Sequence, residues 1–378
     1  MIRREGGLFS FFVLALLLAL LPPGGFSAWT WTEGLRWTYI FLIAMSAVFL
    51  LAPASAWLAV RIGAMDIPEA RKVHSCPVPR IGGAAVYLAF MAAVIRNQQF
   101  SRGIYGIMLG GTMIFLLGFF DDWRGLSAKT RLFWQTAAAL VVTFFGLHLS
   151  LPTKLPFGLE ISTVLSVIWL VGIINAFNFM DGIDGLASSM GAVCALLFLG
   201  IGWKSNQYPL SFISAALAGA CLGFLRMNWK PARVFLGDSG STFIGFILGC
   251  LALYGSWATG NPAVSLSTPL LILGIPIFDI IYTTISRVRN GSVRSVKEWL
   301  EYAGRDHFHH RLLKLGMGVE QTVGFIVVLN ICLGLGAWNI RHTASTAGTW
   351  LLLAQSVLIF LMVVALMLLG RDSVPRKG

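Results

Sequence analysis

The sequence predicts an all-α, polytopic integral membrane protein with about 11 to 12 transmembrane helices. Of its 378 residues, 57% are hydrophobic and only 12% are charged, a balance too apolar for a soluble protein of this length. Apolar runs close to the ~20 residues that cross a bilayer recur along the whole chain. They lie at about 8–24, 38–61, 81–95, 103–120, 131–150, 160–177, 186–203, 208–226, 239–257, 266–287, 322–340 and 347–369.

The positions of Lys and Arg predict the orientation of these helices. The net charge is +12, and when the apolar runs are threaded alternately, most of the basic residues fall on one side. Under the positive-inside rule that side is cytoplasmic, and so are both termini. The opening Met1-Ile2-Arg3-Arg4 and the apolar run after it also fit a signal peptide, but we favour an uncleaved anchor.

The chain reads as a single multi-helix membrane domain over residues 1–378. It has no internal repeat and no polar segment long enough for a soluble domain, and its five cysteines lack CxxC spacing and suit packing. Within this domain we distinguish N-terminal anchor helices (1–60), a core that carries the polar motifs (61–320), and C-terminal helices with a tail (321–378).

Residues 175–186 place two amides, two carboxylates and two glycines between long apolar runs. Polar groups at membrane depth are costly, which favours a functional interpretation. Asn178, Asp181 and Asp184 are spaced three apart and would project from one side of a helical turn. Oxygen ligands of this kind suit Mg²⁺, which takes one or two carboxylates together with substrate phosphates. The stretch therefore predicts a magnesium and phosphate site.

Two further acidic motifs fall on the same predicted face. Asp121 and Asp122 are adjacent at a helix end, where they repel each other and oppose the helix dipole, so they need a cation or a metal ion. Asp238, within Gly237-Asp238-Ser239-Gly240-Ser241, precedes the next apolar run. Alone it would be interpreted as an N-cap, but a helix N-terminus also binds phosphate.

Two loops add cations and imidazoles at that face. The loop 66–83 carries Arg71, Lys72 and Arg80, which predict a phosphate-binding rim or, alternatively, a contact with anionic lipid head groups. The loop 287–321 contains Asp306-His307-Phe308-His309-His310 in basic surroundings. Its histidine spacing matches no zinc pattern, so hydrogen bonding to phosphate or sugar fits better. Residues 296–302 predict a short amphipathic surface helix.

All these motifs lie at cytoplasmic helix ends, so one cytoplasm-facing cleft can gather them. Carboxylates, Mg²⁺ and a ring of Arg and Lys are the components of phosphoryl transfer. A cleft between membrane helices suits a lipid phosphate as one substrate and a soluble, anionic, activated donor as the other. A transporter or flippase is the alternative from another class, but its carboxylates should lie midway through the bilayer.

Together the motifs resemble the polyprenyl-phosphate N-acetylhexosamine-1-phosphate transferase family, of the glycosyltransferase 4 type. The resemblance spans about residues 60–320 in order, and rests on Asp121-Asp122 with Lys129, residues 175–186, Phe235 to Ser241, and His307 to Leu312. It implies a phosphoglycosyltransferase that moves a sugar-1-phosphate from a UDP-amino sugar to undecaprenyl phosphate, releasing UMP. The product would be a lipid-linked pyrophosphoryl sugar.

Within that family, Pro79-Arg80-Ile81-Gly82-Gly83 and the histidine motif resemble the UDP-N-acetylglucosamine branch. This branch initiates O-antigen, common antigen, teichoic acid or exopolysaccharide. The alternative is the phospho-MurNAc-pentapeptide transferase branch, whose threonine-containing turn and longer histidine run are absent here. The segment 291–304 and Arg131 depart from the family pattern, so the resemblance does not assign the sugar.

The resemblance also implies roles for individual residues. Mg²⁺, with Mn²⁺ as a substitute, is the expected cofactor, and Asn178, Asp181 and Asp238 are its expected ligands. The expected catalytic residues are Asp121, Asp122, Asp181, Asp238 and His307. The expected substrate-binding residues are Arg71, Lys72, Arg80, Lys129, Asn175, Asp184, Arg305, His309 and His310. The implied setting is the bacterial inner membrane, with a homodimer as one possible assembly.

One physical point limits the role of a base. Asp121 and Asp122 are expected to face the lipid phosphate, and one of them is a candidate base for it. A phosphate monoester has a second pKa of about 6, so much of it is already dianionic at neutral pH. We therefore expect metal and cation electrostatics to dominate, with direct attack on the β-phosphorus rather than an aspartyl-phosphate intermediate.

Overall fold

The structure is a computed structural model that describes residue 13 and residues 34–67, 76–97, 100–149, 157–257, 262–295, 298–299, 304, 306–342 and 346–372. The helices are α1 (Arg36–Ile62), α2 (Gly83–Asn97), α3 (Arg102–Arg124), α4 (Ala128–Phe144), α5 (Gly158–Met180), α6 (Leu186–Lys204), α7 (Tyr208–Asn228), α8 (Gly237–Tyr254), α9 (Pro262–Ile272), α10 (Gly274–Arg289), α11 (Phe308–Lys314), α12 (Val319–His342) and α13 (Thr346–Asp372). A two-stranded antiparallel ribbon, β1 (Met65–Asp66) and β2 (Val78–Pro79), lies between α1 and α2.

The predicted all-α, multi-pass membrane fold is confirmed. In the described part of the chain, eight helices are long and apolar enough to cross a membrane, or nine if the bent pair α9–α10 counts as one span. The predicted runs from 38–61 onward each coincide with a helix or with that pair. Two of them, α2 and α4, have only 15 and 17 residues. The run at 8–24 falls, except for residue 13, outside the described residues, as does most of the surface helix predicted at 296–302.

The predicted span at 266–287 differs from the structure, because it is two helices that meet at 82°. Leu273 separates α9 from α10, and Pro269 inside α9 removes one backbone donor before the bend. Helix α10 is amphipathic: its apolar stripe, which includes Ile281 and Ile285, is exposed, whereas its polar stripe is buried. A hydropathy window sums both stripes, so it cannot detect the change of direction.

Helix α8 lies at the centre of the bundle and is buried along almost its whole length. It packs against α3 and α5, and also contacts α2, α6 and α7. Glycines make these approaches possible: a Cβ atom on Gly83 of α2 or on Gly118 of α3 would overlap the backbone of α8 in its first turn. The close packing brings the C-terminal end of α3 beside the N-terminal end of α8, where the acidic motifs meet.

Candidate active site

Asp238, in the first turn of α8, forms an acidic cluster with Asp121, Asp122 and Asp181, and it is more accessible than Asp121 or Asp122. Its side chain is 25% exposed. The amide of Asn178, near the end of α5, donates a hydrogen bond of 2.8 Å to Asp238 Oδ1 and another of 3.2 Å to Ser241 Oγ. The structure therefore joins the 175–186 stretch to the start of α8, as the predicted magnesium site requires.

Asp122 lies beneath Asp238 and holds the N-terminus of α8. Its two oxygens accept the backbone N–H groups of Asp238 and Ser239, each at 2.9 Å, and its side chain is fully buried. Arg80 Nη2 lies 3.3 Å from the same carboxylate. A negative charge at a helix N-terminus is stabilising, so Asp122 caps α8 from a neighbouring helix. These contacts describe positioning, in contrast to the base suggested for this residue.

The backbone of residues 79–83 and 235–237 leaves just enough room for the Asp122 carboxylate at the start of α8. Gly237 adopts φ +70°, and a Cβ atom there would overlap the carbonyl oxygen of Arg80 and the carboxylate of Asp122. Residues 79–83 run alongside 235–236 through backbone hydrogen bonds of 2.8 to 3.0 Å. This pairing places Arg80, at the end of the β1–β2 ribbon, next to Asp122.

Asp121 turns toward α4 and meets Arg131. Its Oδ1 accepts the N–H of Leu126 at 2.6 Å, and its Oδ2 lies 3.2 Å from Arg131 Nη1. The same guanidinium nitrogen is 3.7 Å from Asp238 Oδ2, so Arg131 lies between carboxylates from two helices. The sequence marked Arg131 only as a departure from the family pattern, and its bridging position was missed.

Asp181 and Asp184 have different surroundings although they are three residues apart. Burial raises the pKa of Asp181 well above its usual range; the charges of Asp238 and Asp122 raise it further, while Arg80 opposes them. Asp181 is therefore part of the same electrostatic cluster as Asp122 and Asp238. Asp184 Oδ2 accepts the N–H of Ala232 at 3.1 Å and supports the 229–233 turn.

The fit of these residues to Mg²⁺ rests on the convergence of Asp121 and Asp238. Arg131 Nη1 lies 3.2 Å from Asp121 Oδ2 and 3.7 Å from Asp238 Oδ2, so a cation is already favoured at this point. No three acidic, histidine or cysteine side chains among the described residues are arranged to enclose an ion. Asp121, Asp238 and Asn178 thus fit a magnesium ion that substrate phosphates complete, because Asp121 Oδ2 and Asp238 Oδ2 face the exchangeable Arg131 side chain, whereas both oxygens of Asp122 accept backbone N–H groups of α8. Asp181 stays a predicted ligand.

The histidine segment is held by two α10 residues, Asp279 and Arg287. The sequence interpretation counted Arg287 among the basic surroundings of the histidines and missed Asp279. Asp279 accepts from His307 Nδ1 at 2.7 Å and from the Phe308 N–H at 2.8 Å. Arg287 lies 3.0 Å from His307 Nε2 and makes two hydrogen bonds to Asp306, of 2.8 and 2.6 Å. The available signal was their spacing, since polar residues separated by two helical turns in an apolar run share one face.

The histidines also pack against the 175–186 stretch. The His307 ring is stacked on Phe179, with ring centroids 5.0 Å apart. His309 is buried, its Nε2 has no hydrogen-bond partner among the residues that the structure describes, and a Cβ atom on Gly182 would overlap that nitrogen. Burial lowers the pKa of His309 well below its usual range, and His310 and His307 lower it further. These surroundings favour the neutral form of the ring.

The remaining predicted substrate residues are more dispersed. Asn175 donates to Gln135 Oε1 at 2.9 Å, on one side of a cleft between α4 and α5 that Arg131, Asn178 and Phe179 also line. Lys129 is exposed in the first turn of α4. The predicted binding residues Arg71, Lys72 and Arg305 lie outside the described residues.

Comparison with known proteins identifies the family. The profile of glycosyl transferase family 4 matches residues 104–256. A probable undecaprenyl-phosphate N-acetylglucosaminyl 1-phosphate transferase of Bacillus subtilis is 30% identical over 338 residues, covering 88% of this chain and 92% of the relative. The chain belongs to glycosyl transferase family 4. The family predicted from the motifs is thereby confirmed.

Other members of glycosyl transferase family 4 give the same picture. The decaprenyl-phosphate N-acetylglucosaminephosphotransferase of Mycolicibacterium smegmatis is 30% identical over 370 residues, 87% of this chain and 89% of that protein. The undecaprenyl-phosphate alpha-N-acetylglucosaminyl 1-phosphate transferase of Yersinia pestis is 30% identical over 344 residues, 86% and 88% of the two chains. The residues matched by the family 4 profile include the whole acidic cluster, whereas Asp279 and His307 lie beyond them.

Proposed function

We propose that this family 4 protein is a phosphoglycosyltransferase that moves N-acetylglucosamine-1-phosphate, or a related N-acetylhexosamine-1-phosphate, from a UDP-sugar to undecaprenyl phosphate. The observation that carries the proposal is the meeting of Asp121 and Asp238 at Arg131, with Asn178 hydrogen-bonded to Asp238. Carboxylates and cations on one end of a helical bundle suit two phosphorylated substrates. The names of the relatives support this choice of donor sugar and acceptor.

The reaction is a direct displacement at phosphorus. A phosphate oxygen of the acceptor lipid forms a bond to the β-phosphorus of the UDP-sugar, and the bond from that phosphorus to the oxygen bridging it to the α-phosphorus breaks. UMP leaves with the bridging oxygen, and the sugar stays on the new pyrophosphate. The acceptor is largely dianionic at neutral pH, so its activation needs positioning and charge neutralisation more than removal of a proton.

The residues of the cluster divide this work. Asp121, Asp238 and Asn178 would hold Mg²⁺, which supplies charge neutralisation on the donor pyrophosphate when bound. Asp122 fixes the N-terminus of α8, so the Asp238 carboxylate stays in place. Asp181, the third predicted ligand, lies at the same cluster, where the charges of Asp238 and Asp122 favour a cation or a proton on its carboxylate.

Arginines near the cluster supply the opposite charge. Arg80 and Arg131 already contact the carboxylates, and Lys129 lies in the same first turn of α4 as Arg131. When phosphates arrive, these cations can exchange a carboxylate contact for a phosphate contact. We place this face toward the cytoplasm, in the bacterial inner membrane, because the predicted basic loops lie on the same side.

The test is a transfer assay with purified protein, Mg²⁺, undecaprenyl phosphate and a panel of UDP-sugars that includes UDP-N-acetylglucosamine and UDP-MurNAc-pentapeptide. We expect UMP and a lipid-extractable sugar product with a UDP-N-acetylhexosamine. Asp238→Asn is the matched control, because it keeps the size of the side chain and removes its charge. Absence of product with every UDP-amino sugar would overturn the proposal.

A further inference from the structure

A buried polar cluster joins α10 to the start of α11 beside the acidic site. We call Asp279, Arg287, Asp306 and His307 the α10 cluster. Asp279, Arg287 and His307 are each 5% exposed or less. No step of the proposed transfer reaction uses Asp279 or Arg287.

The hydrogen bonds of the α10 cluster assign the tautomer of His307. A guanidinium N–H only donates, so His307 Nε2 accepts from Arg287 Nη2. The proton then resides on Nδ1, which donates to Asp279 Oδ2 at 2.7 Å. Both ring nitrogens are engaged, and neither is available to take a proton from a substrate or to give one.

The cluster nevertheless acts on the acidic site through Phe179. The His307 ring stacks on Phe179, whose neighbour in the chain, Asn178, donates to the Asp238 carboxylate. Asp279 also accepts the N–H of Phe308, the first residue of α11. Asp279 therefore fixes both the ring that contacts Phe179 and the start of the helix that carries His309 next to Gly182.

We propose that Asp279 is a positioning residue for the transfer reaction, and that His307 acts through its fixed Nδ1–H tautomer rather than as an acid or a base. The inference rests on the proposed function. Arg287 then has two roles. Its guanidinium fixes the same tautomer from the other side of the His307 ring, and it also binds Asp306.

Asp279→Asn tests the tautomer directly. The oxygen of the introduced asparagine can accept the Phe308 N–H, but its amide group then faces His307 Nδ1. If the His307 proton moves to Nε2, that N–H meets the donors of Arg287. One hydrogen bond is lost in either arrangement, so we expect turnover to fall about 10- to 100-fold. Thr283→Val, a buried change one turn further along α10, is the control and should stay within about threefold of wild type.

A second substitution separates positioning from a general loss of structure. In an Arg287→Gln background, the glutamine oxygen can accept from a proton on His307 Nε2, and the asparagine that replaces Asp279 can donate to Nδ1. The Asp279→Asn change should therefore reduce turnover less than about threefold in that background. Equal losses in both backgrounds would contradict the tautomer assignment. The wild type, the two single variants and the double variant form a double-mutant cycle. Their unfolding midpoints are a second measurement, which replaces turnover if Arg287→Gln has no measurable activity.

His307→Asn and His307→Gln complete the test. Asparagine can replace the Nδ1–H donor to Asp279, and glutamine can replace the Nε2 acceptor for Arg287, so each should retain partial turnover. Loss of all turnover in both, with unfolding midpoints like that of wild type, would show that His307 supplies acid or base chemistry and overturn the inference. If the wild-type protein itself forms no lipid product, the proposed function is wrong. If the wild-type protein is active and Asp279→Asn is equally active, only the positioning role of Asp279 is wrong.

Discussion

Replacing Asp122 by asparagine distinguishes a helix cap from a catalytic base. Asp122 accepts two backbone N–H groups of α8 and contacts Arg80, all from a fully buried side chain. In Asp122→Asn the amide NH₂ faces one of the N–H groups, so one hydrogen bond to a charged acceptor is lost, about 1.5–3 kcal/mol. The Arg80 side chain is 35% exposed, so water offsets much of its lost pairing.

We therefore expect Asp122→Asn to lower the free energy of unfolding by about 2–3 kcal/mol. Turnover should fall because the Asp238 carboxylate moves with the start of α8, and a misplacement of about 1 Å can reduce a rate roughly 100-fold. Raising the pH from about 6 to about 9 should not restore turnover, because no proton transfer by Asp122 is involved.

The assay measures UMP release across that pH range together with the unfolding midpoint in detergent. Asp121→Asn is the matched control: it changes the neighbouring residue, whose side chain accepts the Leu126 N–H and no α8 N–H among the described residues. It should lose turnover with a smaller loss of stability. An Asp122→Asn protein that keeps the wild-type midpoint and recovers turnover at high pH would refute the capping role and identify a base.

Three further predictions concern the rest of the site. Asp238→Ala should abolish turnover and also the shift that Mg²⁺ with UDP-N-acetylglucosamine produces in the unfolding midpoint; a persisting shift would contradict the metal assignment. Gly182→Ala should reduce turnover at least about tenfold because its methyl group displaces His309, whereas Gly172→Ala on α5, which has open space, should be neutral. The lowered pKa of His309 means that the unfolded state binds a proton first. The difference in stability between wild type and His309→Asn should be constant above about pH 6.5 and should change by up to about 1.4 kcal/mol per pH unit below it, to the disadvantage of wild type.

The sequence was sufficient to predict most of the described helices and to single out the residues of the acidic cluster. Apolar runs set the spans, and the uncompensated carboxylates Asp121, Asp122, Asp181 and Asp238 are costly in a membrane without a shared purpose. The structure brings these four together, because α3 ends where α8 begins. Their individual parts depended on that approach, which the packing of Gly118 against α8 permits and which periodicity does not encode.

Other features depend on contacts that no local pattern specifies. The 82° bend before α10 turns Asp279 and Arg287 inward, so two residues in a predicted transmembrane run become partners of the histidine segment. Arg131 was noted only for its residue type, although its position between two carboxylates is the clearest electrostatic feature of the site. The spacing of Asp184 predicts a ligand-facing side chain, and the structure adds a contact that spacing does not specify, the Ala232 N–H on its Oδ2.

The most direct test of the proposed transfer follows the β-phosphate. UDP-N-acetylglucosamine radiolabelled in its β-phosphate is incubated with the purified protein, Mg²⁺ and undecaprenyl phosphate, and the lipid and aqueous phases are separated. We predict that the label enters the lipid phase in step with the release of unlabelled UMP, and that Asp238→Asn prevents both. Label that stays in the aqueous phase as UDP, while the sugar reaches the lipid, would contradict transfer of a sugar-1-phosphate.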